Sequence, residues 1–507
     1  MLLIRKEQMK KLQESLTPKL RESIINDFKK RGFETGEDPN KRIVTLRDKS
    51  GGESLIRWDG DILTLISGEN RVYRFEYDQS KQLTAITDPK GFRIVFKWDE
   101  QKRLIKINRG PENHYSFKYD SFSNLSEIEF PDKTSQFFHH DNNGNLVKFI
   151  DRNGAERTYT YSATDQMLKF IDAKGHKTRF RYSQLDAPRE IEYATGDRHK
   201  FEYDKNGALS GMKVNGELQT DFKIDPIAGS METSDSNGKQ SIFLIKEDRL
   251  IEAVNENCKI KFTYDDKGRI LSEDVKDKTV EYLRNGVGAL IRMSVPDMEP
   301  IVYNYDKEHR IKSIQWRKMS FGIHYDSSGT LLNINYPNGI CINRSINPMG
   351  LVSSMSIQMD SKSNTIVYKG DYEYDPCDRI LKTVIKSNRK TRTDSYAYDG
   401  EGRLLRIESS DPNRSEFFHL DANGNRLCDK LGDAQINNTD QLINHAGTVY
   451  FYDGAGNLVS FSNADGKTLF KYNNRNQLIE FQNDHNKATY EYDAIGRRIQ
   501  KKGVSLV

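Results

Sequence analysis

Few residues in this 507-residue chain have both the type and the spacing for chemistry. His139-His140-Asp141 is the one tight cluster whose imidazoles could hold a metal or move a proton. Asp141, Asn143 and Asn145 copy the first alternating oxygen ligands of a calcium loop, yet no bidentate Glu follows at the twelfth position. His419 stands just before Leu420-Asp421 in an equivalent setting, and no H-E-x-x-H spacing occurs. Cys258, Cys341, Cys377 and Cys428 lie far apart, without a CxxC pair, and read as ordinary thiols. Tyr and Phe beside Asn and Asp could stack on and hydrogen-bond a sugar. The chain is therefore expected to be non-enzymatic, with no cofactor and no metal, and a glycan is the one small ligand its composition invites.

Composition narrows the classes further. Lys and Arg number 78 against 74 Asp and Glu, a net charge of +4, which argues against a dedicated nucleic-acid binder. Hydrophobic residues make up 36% and mean hydropathy is −0.78, too little for a thick, dry core. No stretch approaches the ~20 apolar residues of a membrane span, so membrane insertion is not expected. The start, Met1 to Lys6, lacks the apolar run of a signal peptide. Synthesis in the cytoplasm is expected, with any export by a route other than general secretion.

Stepping outward from His140, the residue turns out to be one mark on a ruler. Tyr77, Trp98, Tyr119, His140, Tyr161, Tyr182, Tyr203, Ile224 and Ile245 recur every 21 positions. Most precede Asp or a small polar residue: Asp78, Asp99, Asp120, Asp141, Ser162, Ser183, Asp204 and Asp225. A fixed period of this length signals a repeat architecture. Beyond residue 250 the ruler loosens but continues through Tyr264, Tyr305, Tyr325, Tyr374, Tyr398, Leu420, Tyr452, Tyr472 and Tyr492. Its widest gaps, around 355–370 and 428–447, read as longer loops.

Each unit carries two D-x-x-G tetrads, as in Asp141…Gly144 and Asp151…Gly154, with further copies at Asp172…Gly175 and Asp204…Gly207. Asp at the first position can accept from backbone N–H groups ahead of it, and Gly at the fourth tolerates positive φ. That chemistry fits a type I turn followed by a left-handed residue, a common hairpin connection. Between turns, Arg179-Phe180-Arg181-Tyr182 and Lys200-Phe201-Glu202-Tyr203 alternate charge with aromatic, the pattern of half-buried strands. One unit is one β-hairpin. The whole is expected to be all-β: a long antiparallel hairpin array, coiled by sheet twist into a spiral shell or open barrel. Residues 1–33 differ, with Met9, Leu12, Leu16, Leu20, Ile24, Ile25 and Phe28 at helical spacing, and read as a helical cap or docking segment. The array divides into a regular part, 34–250, and a less regular part, 251–507.

Written as Y-x-Y-D-x-x-G-x-L, the unit resembles the Rhs/YD-repeat family. The clearest copies begin at Tyr203, Tyr264, Tyr398 and Tyr452, and the resemblance covers most of the chain. It implies a β-shell that holds, shields or presents a partner polypeptide such as a toxin, in type VI or toxin-complex delivery. Related repeats in wall-associated and animal proteins imply the runner-up, a surface module binding glycans or proteins. A third reading is a truncated remnant of a larger toxin.

Overall fold

The computed structural model describes residues 34–38, 43–47, 53–59, 62–67, 71–80, 82–326, 328–359, 365–387 and 390–505. The helical reading of 1–33 lies outside them. Among the described residues the chain forms 47 strands and one short 3-10 turn, Pro412–Arg414, with no α-helix. Each strand pairs antiparallel with the next in sequence, as expected for chained hairpins, except at one break between Glu416–Phe417 and His419–Leu420. The gap at 428–447 is not a long loop. It is filled by the short strands Arg426–Asp429, Gly432–Ile436 and Leu442–His445. Residues 360–364 of the other gap are not described.

The turn chemistry is visible atom by atom. Asp141 Oδ1 accepts from the Asn143 and Asn145 amides, both at 2.9 Å. The Asp141 amide donates to the Asn145 carbonyl and the Gly144 amide to the Asp141 carbonyl. Gly144 takes φ 86°. Elsewhere a non-glycine residue stands in the same left-handed slot, such as Lys102 at φ 63°. The extra turn residue is absorbed as a bulge: Thr160 faces Lys169, but Tyr161 faces Met167.

That bulge aims the ruler residue at the preceding hairpin. The Tyr161 hydroxyl donates to the Leu146 carbonyl at 3.1 Å, Tyr182 to Met167 at 2.9 Å and Tyr119 to Leu104 at 2.8 Å. Trp98 does the same through its indole N–H, to Leu83 at 2.7 Å. Equivalent bonds run from Tyr203, Tyr264, Tyr305, Tyr325, Tyr374, Tyr398, Tyr452 and Tyr492. Where Arg closes the turn, its Nε grips the turn Asp and its guanidinium lies on the next Tyr. Arg103 pairs with Asp99 at 2.7 Å and lies 4.6 Å from the Tyr119 ring. Arg310 and Arg379 repeat this with Asp306 and Tyr325, and with Asp375 and Tyr398. Most units are thus stitched to their neighbour by one phenol and, in places, one guanidinium.

The sheet does not stay open. Hydrogen bonds and ion pairs join residues 224 to 269 positions apart, most of them between turns and all 21 to 26 strands apart along the chain. The wall therefore completes one coil in about 24 strands and lays a second coil upon the first. At ~4.8 Å per strand the circumference is about 115 Å for upright strands, and more once they tilt. The wall is then about 35–50 Å across.

Candidate functional site

Two features could carry function: the seam between the coils and the two faces of the wall. The seam is built from the turn chemistry already described. Each unit has one turn on each rim, and the second-turn rim of the first coil meets the Tyr-Asp rim of the second. Lys90, in the turn after Asp88, reaches Asp326 at 2.9 Å. Arg109 reaches Asp378 at 2.5 Å, and Asn113 donates to the same carboxylate at 3.2 Å. Asp132 takes Arg152 from its own coil and Arg379 from the other. Further along, Asn474 donates to the Gln219 carbonyl, and Asn255 and Asn257 to the Tyr492 carbonyl. Arg497 pairs with Glu273.

The closest approach is between Asp151-Arg152-Asn153 and Asp399-Gly400-Glu401. The Gly400 amide donates to Asn153 Oδ1 at 2.8 Å, Asn153 Nδ2 to Asp399 Oδ2 at 3.0 Å, and the Arg152 amide to Glu401 Oε1 at 2.7 Å. A Cβ at Gly400 would lie 2.7 Å from the Arg152 carbonyl. At Gly454 it would lie 2.5 Å from Asn215 Nδ2. Ala494, in the same slot of its turn, is buried. Small residues after the turn Asp are therefore what let one rim seat on the other. Sequence reasoning missed this, along with Glu401, Lys174 and Asn423, because the partners are coil-distant. The available signal was the recurrence of Gly or Ala after the Asp in Asp399-Gly400, Asp421-Ala422, Asp453-Gly454 and Asp493-Ala494.

The seam carboxylates are held charged. Burial pushes Asp326 up, but the Ser328 hydroxyl, the Lys90 ammonium and the Thr330 amide overcome it and hold its pKa at about 2. Burial likewise opposes ionisation at Asp132, Asp172, Asp399 and Asp421, and hydrogen bonds from their partners outweigh it in each. Away from the seam, Asp141 is lowered chiefly by the Asn145 amide. Burial raises the hydroxyls of Tyr77, Tyr119, Tyr161, Tyr264, Tyr305, Tyr374, Tyr398, Tyr452 and Tyr472. All of these but Tyr77 and Tyr472 donate to wall carbonyls, which leaves them poorly placed to act as acids or bases.

The candidate metal groups separate or are already partnered. His139 and His140 alternate along one strand, so they point to opposite faces. Asp141 accepts from the side-chain amide of Asn145, and Asp151 ion-pairs with Arg157. Gly154, Gly175 and Gly207 take φ of 82°, 87° and 82° in their turns, and Asp204 Oδ1 accepts two backbone amides. Asp172, His176 and Asp440 bring ligand atoms within 4.8 Å of one another. However, Asn423 Nδ2 sits between them, 2.6 Å from Asp172 and 2.9 Å from Asp440, and Lys174 pairs with Asp421 and Asp440. This set is a seam clamp.

The two faces of the wall differ in kind. One carries the ruler residues and their aromatic neighbours: Phe138 with Phe149 and Tyr159 with Phe170, centroids 5.3 Å apart. A run of Phe461, Phe470 and Phe481 continues it at 5.9 and 5.8 Å. The other face carries cross-strand ion pairs: Lys118 with Glu127, Lys213 with Glu202, and Glu480 between Lys471 and Lys487. The most enclosed of the described clefts, about 210 Å³, lies on the seam between Thr220–Asn257 and Tyr472–Asp493.

Comparison with known proteins gives the same architecture. The family model described as the teneurin YD-shell matches residues 38–164 and 338–506, more than half of the chain. No curated protein matches the sequence. Among solved structures, the crystal structure of TcdB2-TccC3-Cdc42 superposes with TM-score 0.63 at 12% identity, covering 93% of this chain and 32% of that one. TcdB2-TccC3 gives 0.62 at 13%, covering 91% and 32%. A Tc holotoxin pore of Photorhabdus luminescens gives 0.55 at 11%, covering 91% and 31%. The chain thus spans about a third of the length of these structures. With the ruler, the bulged turns and the coiled wall in agreement with the family match, the chain belongs to the YD-shell family.

Proposed function

We propose that this chain is a non-enzymatic section of a toxin-complex-type shell that holds and shields a partner polypeptide. The observation that carries the reading is a coiled, two-faced wall whose titratable groups are consumed in turns, stitches and seam. The aromatic face is assigned to the lumen by curvature: side chains crowd on a concave face and splay on a convex one. The Phe and Tyr of Arg198–Tyr203 are half-buried although no second layer among the described residues covers them, while their charged neighbours are exposed. Removing a side-chain layer from each side leaves a lumen about 25–40 Å wide. A compact 100-residue domain, with a radius of gyration of ~13 Å, is about 34 Å across. The lumen is therefore about as wide as one small domain and suits a polypeptide of that size or one held extended, its apolar groups resting on the aromatic wall.

Native mass spectrometry of the protein taken from its own cells tests this. A mass above the chain's own 58.6 kDa by one bound polypeptide, protected from protease until the shell is unfolded, is the expected result. A chain always recovered alone, beside a partner digested at its free rate, sinks the reading.

A further inference from the structure

We propose that residues 410–447 form a side door in the wall, able to open while the coil on either side stays shut. The first support is the backbone ladder. The pairings Arg406–Phe417, His419–Cys428, Cys428–Asp433 and Asn444–Val449 each run through only two register pairs. Among the described residues only one other pairing is as short, Arg292–Val302. Just upstream, the strand Ile366–Tyr374 makes seven register pairs with Ile380–Ser387. Just downstream, Thr448–Tyr452 and Leu458–Asn463 make four.

The ladder is also interrupted here. In an ordinary unit the middle residue pairs both ways, as Val95 does with Ala85 and Asn108. The segment Glu416–Leu420 pairs backward with its first half and forward with its second, and no residue bridges the two. The one join is the Phe418 amide on the Leu405 carbonyl. Before it, Asp411 caps the 3-10 turn at Pro412–Arg414.

Side chains repeat the pattern. Between neighbouring strands, lysine–glutamate pairs tie the outer face at Lys382–Glu373 and again at Lys471–Glu480, with none between them among the described residues. Phe417, Leu431 and Phe451 stand exposed instead. Arg426, lying 4.3 Å over the Phe418 ring, is the one ring contact within the panel among the described residues. Opening free energy is lowest where backbone bonds and packing are fewest, and both minima fall on this panel.

What holds the panel shut is the seam clamp. Lys174 reaches Asp421 at 3.1 Å and Asp440 at 3.7 Å, and Asn423 joins Asp172 to Asp440. Four strands at ~4.8 Å spacing make an aperture about 19 Å wide, enough for an extended chain or a single helix. The door is a property of the wall and stands or falls independently of what the shell holds.

Hydrogen exchange on the intact chain tests it. Amides of 419–436 are expected to exchange at least tenfold faster than those of 368–398 and 458–492. Lys174→Met is expected to speed 410–447 by roughly another tenfold, with 458–492 unchanged. A bis-maleimide crosslink between Lys174→Cys and Asp440→Cys, formed across the seam, is expected to slow the panel to the rate of its flanks. Uniform exchange along the second coil overturns the proposal. So does a Lys174→Met variant that loosens 458–492 as much as the panel.

Discussion

The seat of Gly400 on the first coil gives the most direct quantitative test. Replacing Gly400 by Ala puts a methyl 2.7 Å from the Arg152 carbonyl, a backbone atom that cannot swing aside. Relieving the clash means lifting the turn, and three hydrogen bonds depend on its position: Gly400 to Asn153, Asn153 to Asp399, and Arg152 to Glu401. At roughly 1 kcal/mol net for each, about 3 kcal/mol is at stake. Stiffening the unfolded chain returns ~0.5–1 kcal/mol. The expected net loss is about 2 kcal/mol, a roughly thirtyfold rise in local seam opening. Exchange at the Arg152 and Gly400 amides reads it directly. Gly286 is the control: it holds the same turn position after Asn285, and a Cβ there meets nothing within 4 Å. Gly286→Ala is expected to be neutral or slightly stabilising. If the two variants exchange alike, the small residue after the turn Asp has nothing to do with seating the coils.

Other outcomes follow from the same contacts. The seam carboxylates have depressed pKa values, so their stabilisation is fully present above the ordinary carboxylate range. It is lost only as pH falls through their folded values, about 2 for Asp326. With the intrinsic pH dependence of exchange removed, protection of the seam amides should be the same at pH 5 and pH 7 and fall only below the ordinary carboxylate range; opening at pH 5 contradicts this. Tyr398→Phe removes the 2.7 Å bond to the Ile380 carbonyl and should lower stability by about 1 kcal/mol in urea unfolding. Asp141→Ala strips the acceptor from two backbone amides and should cost about 2 kcal/mol, with Asp141→Asn losing less than half of that. Because Asn423 and Lys174 fill the space among Asp172, His176 and Asp440, EDTA should leave the unfolding midpoint unmoved. A fall in the midpoint would assign that cluster a metal.

Much of the wall was legible in the sequence because its rules are local. A turn Asp bonds amides two and four residues ahead, and a ruler Tyr reaches a carbonyl some fifteen residues back. Such distances lie inside one repeat, so the period alone implies the hairpins and their chaining. The seam was not legible, because Gly400 meets Arg152 only after the sheet has turned through a whole coil. Nothing in one unit states how tightly the ribbon curls. The gap at 428–447 misled for a related reason: shortened hairpins there break the period without breaking the sheet. His139 and His140, adjacent in sequence, are parted by the alternation of a strand.

The seam has an evolutionary corollary. In a solenoid whose repeats touch only their neighbours, one unit can be duplicated or lost with local damage. Here a unit gained or lost between residues 174 and 326 slides the second coil by two strands against the first. Lys90, Arg152 and Lys174 would then all face the wrong turns. The two coils act as a vernier, in which each scale fixes the reading of the other. Repeat number within one coil is therefore frozen even where each repeat is freely variable, and length can change without penalty only at the ends.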